Sequence, residues 1–119
     1  MGEARACGSL EILFVSADGD RALAVALSRE RAQALTGRTD LALADLDATL
    51  LSGSSLEGAG CTDLPGEVRV NAREPVVRGT LSITIEGGRA DFTLRDAATE
   101  KSEVEDAAFS DVFVAGSPG

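Results

Sequence analysis

The chain has 119 residues, 44% of them apolar, and a formal net charge of −9. That excludes a disordered chain and points to one domain with a real hydrophobic core. So acidic a surface repels phosphate backbones and anionic headgroups, which argues against nucleic acid and against a basic patch docking on lipid.

Residues 1–7 read as a flexible N-terminal segment, with Cys7 just ahead of the first strand. The first strong signal follows. Residues 10–17 alternate, Asp18-Gly19 supplies a two-residue turn, and residues 20–27 return. A type I′ turn needs positive φ at both central positions, which Asp-Gly tolerates. The implied register sets Ala17 against Asp20, Phe14 against Leu23, Ile12 against Val25 and Leu10 against Leu27. All six large apolar residues then share one face, and a one-residue slip would scatter them. The other face carries Leu13 and Val15 opposite Ala24 and Ala22. It is apolar but shallow, so Leu13 and Val15 are the candidate partner surface. A helix over residues 20–35 is the competing reading, but it aligns Val25 with neither Leu23 nor Leu27. A short helical turn near 29–36 with Ser28 as N-cap is compatible with the strand.

Residues 41–51 alternate and then lose phase at Ala44 to Leu46, the mark of a bulge or a bend. Residues 52–66 form a loop rich in Gly and Ser that carries Cys61. Residues 67–72 alternate again, and Pro75 and Gly79 imply an edge or a corner beyond them. The second hairpin is the cleanest element: residues 80–86, Gly87-Gly88, then residues 89–95. Its register pairs Glu86 with Arg89, Ile85 with Ala90, Ile83 with Phe92 and Leu81 with Leu94. The reverse face reads as polar and solvated, with complementary charge. Residues 109–114 make a last strand and 115–119 a tail. About seven short strands with turn signals between them predict an all-β, antiparallel β-sandwich in a single domain over 1–119. A partly open β-barrel is the alternative.

The two cysteines, Cys7 and Cys61, are expected to pair. The bridge would close a loop of about 55 residues, worth ~4 kcal/mol in the chain-entropy model, and would place the chain in an oxidising compartment. Ala4-Arg5-Ala6-Cys7 also has small residues ahead of a cysteine, so a lipid anchor at Cys7 is a further reading, though Arg5 fits it poorly. No charged n-region and apolar h-region precede the first strand, so no signal peptide is visible, and a removed leader is compatible with that. No run of about 18 apolar residues is present.

The chain has no histidine, which removes Ser-His-Asp and Cys-His catalysis and His-containing zinc sites. Phosphate-loop, dinucleotide and nucleophile-elbow motifs are absent. Paired carboxylates remain, but without Trp or Tyr there is no aromatic platform for a sugar cleft. The expectation is a non-enzyme with no cofactor. Asp18 and Asp20, Asp45 and Asp47, and Glu103, Glu105 and Asp106 are carboxylate clusters that a Ca²⁺-dependent module would use, although none matches an EF-hand. An edge strand over 67–73 or at the C-terminus could accept a partner strand.

The layout resembles small bacterial lipoproteins and secreted β-sandwich domains in style. The shared features are the two cysteine positions, the Gly-Thr-Leu-Ser-Ile-Thr stretch at 79–84 and the Asp-Phe-Thr-Leu-Arg-Asp stretch at 91–96. No functional residue carries over from it. The leading expectation is a non-enzymatic secreted, periplasmic or envelope-associated bacterial domain with a structural or binding role. The alternatives are a cytoplasmic adaptor or oligomerising domain acting through an edge strand, and the Ca²⁺ module.

Overall fold

A computed structural model describes residues 2–7, 11–28, 30–31, 34–35, 37–54, 56 and 69–115. Among them nine strands run in the order β1 (Glu3–Cys7), β2 (Glu11–Val15), β3 (Arg21–Ala26), β4 (Arg38–Ala42), β5 (Asp47–Ser54), β6 (Arg69–Pro75), β7 (Arg78–Glu86), β8 (Arg89–Ala98) and β9 (Ala107–Ala115). Strands β1, β2, β3, β5 and β6 form one antiparallel sheet, and β4, β7, β8 and β9 form a second. A short parallel pairing of Ala6 with Val114 and Cys7 with Ala115 joins them along one side. Strands β4 and β6 end the sequence of neighbours without pairing with each other. The chain is therefore an all-β sandwich and not a closed barrel.

Both hairpin registers match the alternation. Phe14 stands opposite Leu23 and Ile12 opposite Val25; Ile83 stands opposite Phe92 and Leu81 opposite Leu94. The two apolar faces meet as one core in which Ile12, Phe14, Leu23, Val25, Leu50, Leu81, Ile83, Phe92 and Leu94 are all buried. Phe14 lies at its centre, edge-on to Phe92 at 5.9 Å between ring centroids and 5.7 Å from Phe109. Two inner faces closing on each other is what removes this apolar surface from water. Leu10, expected opposite Leu27, lies outside the described residues.

Four elements differ from the sequence expectation, the first being β5, which runs to Ser54 and so takes residues 52–54 from the loop expected over 52–66. Glu3–Cys7 is not a flexible lead-in but β1, with Ala4 and Ala6 packed on the core. The first turn is longer than two residues: Gly19 N–H donates to Ser16 O at 3.0 Å, and Gly19 has φ 71° while Asp18 is not at positive φ. Ser16 Oγ accepts the Arg21 N–H at 3.1 Å and donates to Asp20 Oδ1 at 2.9 Å. These bonds open the turn by one residue on each side and leave the register unchanged. The second turn does have Gly87 and Gly88 at φ 61° and 78°, as a type I′ turn requires. The phase loss at 44–46 is a 3-10 turn over Leu43–Asp45, whose buried Leu43 anchors the crossing from β4 in one sheet to β5 in the other. In the second hairpin Glu86 faces Arg89 as expected, and the Arg89 guanidinium pairs with Asp111 on β9, with Nε 3.5 Å from Asp111 Oδ1.

Two smaller expectations are met locally. Ser28 Oγ accepts the Arg31 N–H at 3.3 Å, and Ala34 N–H donates to Glu30 O at 3.1 Å, one helical turn after β3. The corner at Pro75 and Gly79 carries the chain back between sheets, with Val76 N–H on Ala48 O and Val77 N–H on Ala98 O. Gly79 has φ 120°, and a Cβ there would sit 2.6 Å from Ala97 Cα, so only glycine fits. Of the expected tail over 115–119, Ala115 belongs to β9, and 116–119 lie outside the described residues.

Candidate functional site

The outer faces of the two sheets are built differently. On the second sheet, Asp40 of β4 stands beside Ser82 of β7, which stands beside Thr93 of β8. Ser82 is 4% exposed and donates from Oγ to Asp40 Oδ1 at 2.6 Å; Arg95 Nη2 donates to Ser82 Oγ at 3.5 Å. The Ser82 hydrogen bond holds the Asp40 carboxyl below its ordinary value. Partial desolvation opposes it, and Arg38 and Arg95 reinforce it. At the far end of this face, Asp91 Oδ1 accepts the Asp111 N–H at 2.8 Å. Phe113, 63% exposed, lies under the Arg89 guanidinium at 5.9 Å. On this surface Asp40, Ser82, Arg89, Asp91, Arg95 and Asp111 each have a partner, and Glu86 has none among the described residues.

The outer face of the first sheet has three cross-strand rows. Glu11, Ala26 and Asp47 form the first, Leu13, Ala24, Thr49 and Pro75 the second, and Val15, Ala22, Leu51 and Arg73 the third. The third row is capped. Val15 (0% exposed) and Ala22 are buried in a small second cluster with Leu51 and Leu56, and Ala24 and Val70 pack against it. Leu56 is held there by its N–H on Gly19 O at 2.9 Å. Leu13 of the second row belongs to the same cluster, whereas Ala24, Ala26 and Thr49 stay half-buried among the described residues. Ala24, Ala26 and Thr49 are too short to fill the face, and a trough of about 350 Å³ opens over them. Leu13 and Leu51 line it, Glu11 and Asp47 rim one end, and Arg73 rims the other.

The expected partner residues stay together: Val15 and Leu13, 0% and 5% exposed, are both buried in this second cluster, and Leu13 also lines the trough. Ala24, Thr49 and Arg73 were not singled out by the sequence. Only the shallowness of the Ala22-Ala24 face hinted at them. Of the expected disulfide, Cys7 is in β1, and Cys61 lies outside the described residues.

The carboxylate clusters do not converge. Asp20 is engaged by Ser16, Glu103 by Arg78 at 3.3 Å, and Asp106 by the Asp96 N–H at 2.9 Å. Among the described residues no group of three or more His, Cys, Asp or Glu side chains could hold a metal ion. No helix among them is long and apolar enough to cross a membrane. No family model, no curated protein and no solved structure matches the chain.

Proposed function

We propose that the chain is a non-enzymatic bacterial β-sandwich domain, secreted or held at the cell envelope, that binds a partner on the outer face of its first sheet. The trough carries the binding part of this reading. A sheet with only one face covered is expected to present polar residues outward. Here Ala24 and Ala26, with the largely buried Leu13 and Leu51, line an open concavity of about 350 Å³ whose remaining lining includes Thr49, Glu11, Asp47 and Arg73, within the size range of ligand sites. The compartment rests on Cys7 and Cys61, two cysteines outside any Cys-x-x-Cys motif. The non-catalytic part rests on the missing histidine and the dispersed carboxylates.

Two measurements test it. Thiol titration of the unreduced protein is expected to find both cysteines blocked, and two free thiols would remove the exported reading. Binding is tested with a fragment screen read by 15N–1H correlation spectra. Shifts are expected to gather on Leu13, Ala24, Ala26, Thr49 and Leu51. Shifts confined to the Asp40–Ser82–Thr93 face, or none at all, would overturn the assignment.

The alternative, a cytoplasmic oligomerising domain, is favoured by one observation: β4 and β6 are both end strands. Both edges carry features that discourage pairing. Strand β6 has Arg73, Pro75 and a register shift opposite Ser52 and Gly53, and β4 has Arg38 and Asp40. A concentration-dependent mass by light scattering would restore this alternative.

A further inference from the structure

Resting on that binding reading, we infer that the trough is a site for an extended dipolar peptide segment. A lysine or arginine side chain would lie between Glu11 and Asp47, a small apolar side chain over Ala24, and a carboxylate against Arg73. Three features of the face lead there.

The first is charge left without a partner. Glu11 and Asp47 flank Ala26 in one row, two strands apart, which is about 10 Å at the usual strand spacing. Neither makes an ion pair or a side-chain hydrogen bond among the described residues. Arg73 makes none either, in a chain where acidic residues outnumber basic ones by 20 to 11. Elsewhere Arg38, Arg78 and Arg89 each find a carboxylate.

The second is spacing. The acidic row and the Arg73 row are four residues apart along the strands, about 13 Å. In an extended segment, side chains i, i+2 and i+4 point to one face over the same distance. Arg73 also lies two strands, about 10 Å, to the side of Ala26, so a basic residue at i and an acidic one at i+4 reach the two ends along a diagonal through the length of their side chains, in either chain direction.

The third is the floor between those ends. It is Ala24 with Thr49, half-buried and short, walled by Leu13 and Leu51. A small aliphatic side chain at i+2 fills it and removes apolar surface from water on both partners. A large aromatic one would collide with the floor before the charged ends met.

The test is a titration of the 15N-labelled chain with two acetylated, amidated pentapeptides, Lys-Thr-Val-Thr-Glu and Glu-Thr-Val-Thr-Glu. The first is expected to give saturable shifts on Leu13, Ala24, Ala26, Thr49 and Leu51, and to bind at least about fivefold tighter than the second, as two exposed charge pairs allow. In the double variant E11K/D47K that preference should reverse. Both positions are exposed, so the fold should survive, and an unchanged melting curve checks it. Equal binding of the two peptides, or a preference that persists in E11K/D47K, overturns the inference. If fragments still fill the trough in that case, the binding reading stands and only the ligand class is wrong. If neither fragments nor peptides shift those amides, both fail together.

Discussion

The two hairpins β2–β3 and β7–β8 give the sandwich its two inner faces, yet they treat their outer faces in opposite ways. Behind β7–β8, Ser82, Arg95 and Asp91 each hydrogen-bond a neighbour, and Arg89 pairs with Asp111. Behind β2–β3, Val15 and Ala22 need Leu56 from a distant segment to cover them, and the rest of the face stays an open trough with unanswered charge at its rims. A face that completes itself is structural surface. A face that needs another segment to cover one half, and has no described residue over the other, is where contact with a partner is worth seeking.

The comparison can be broken by substitution. The largest loss belongs to the core that both hairpins share. Phe14→Ala removes the ring that touches both Phe92 and Phe109 and is expected to cost about 3–5 kcal/mol. A melting curve that stayed put would mean the two sheets do not depend on each other. Next is the seal behind the first hairpin. Leu56→Ala should cost about 3 kcal/mol by uncovering Val15 and Leu51. Urea denaturation checks it, and a loss below about 1 kcal/mol would mean that this outer face is not a second core.

Turn chemistry should cost less. At Gly87 nothing lies within 4 Å of where a Cβ would be, so Gly87→Ala costs only the left-handed backbone conformation, about 1 kcal/mol. Gly87→Asn should recover part of it, because asparagine tolerates that region. Equal melting temperatures for the two variants would mean that the turn relaxes to another type.

These contrasts also mark what was legible in the sequence. The second hairpin was readable to the residue because alternation, turn chemistry and charge all agreed on one register. The first was readable in register but not in its turn. The Ser16 hydroxyl accepts the Arg21 N–H and donates to the Asp20 carboxylate, and Asp20 O accepts from Gly53 N–H at 2.9 Å. That last bond comes from β5, and no local pattern announces it. Strand β1 was missed because Ala4 and Ala6 carry too little hydrophobic contrast to show their alternation. The trough was hidden for a stronger reason: Leu13, Ala24, Thr49 and Arg73 come from four strands and become neighbours only through the sheet order.

The smallest effect should come from the self-completed face, and its sign depends on pH. The Ser82 hydrogen bond lowers the Asp40 pKa in the folded chain from its ordinary 3.8. A depressed carboxyl pKa contributes stability that is present above the unfolded value and is lost as pH falls through the folded one. Ser82→Ala removes the first cause of that depression and leaves Arg38 and Arg95. Wild type should therefore exceed Ser82→Ala in stability at neutral pH, and the gap should narrow as pH drops below about 4. Asp40→Asn should abolish the pH dependence of the gap, since the amide does not titrate. Urea midpoints at neutral pH and at about pH 2.5 read the difference. A gap of the same size at both would mean that Ser82 acts through packing beneath Thr93, with no part played by the Asp40 charge.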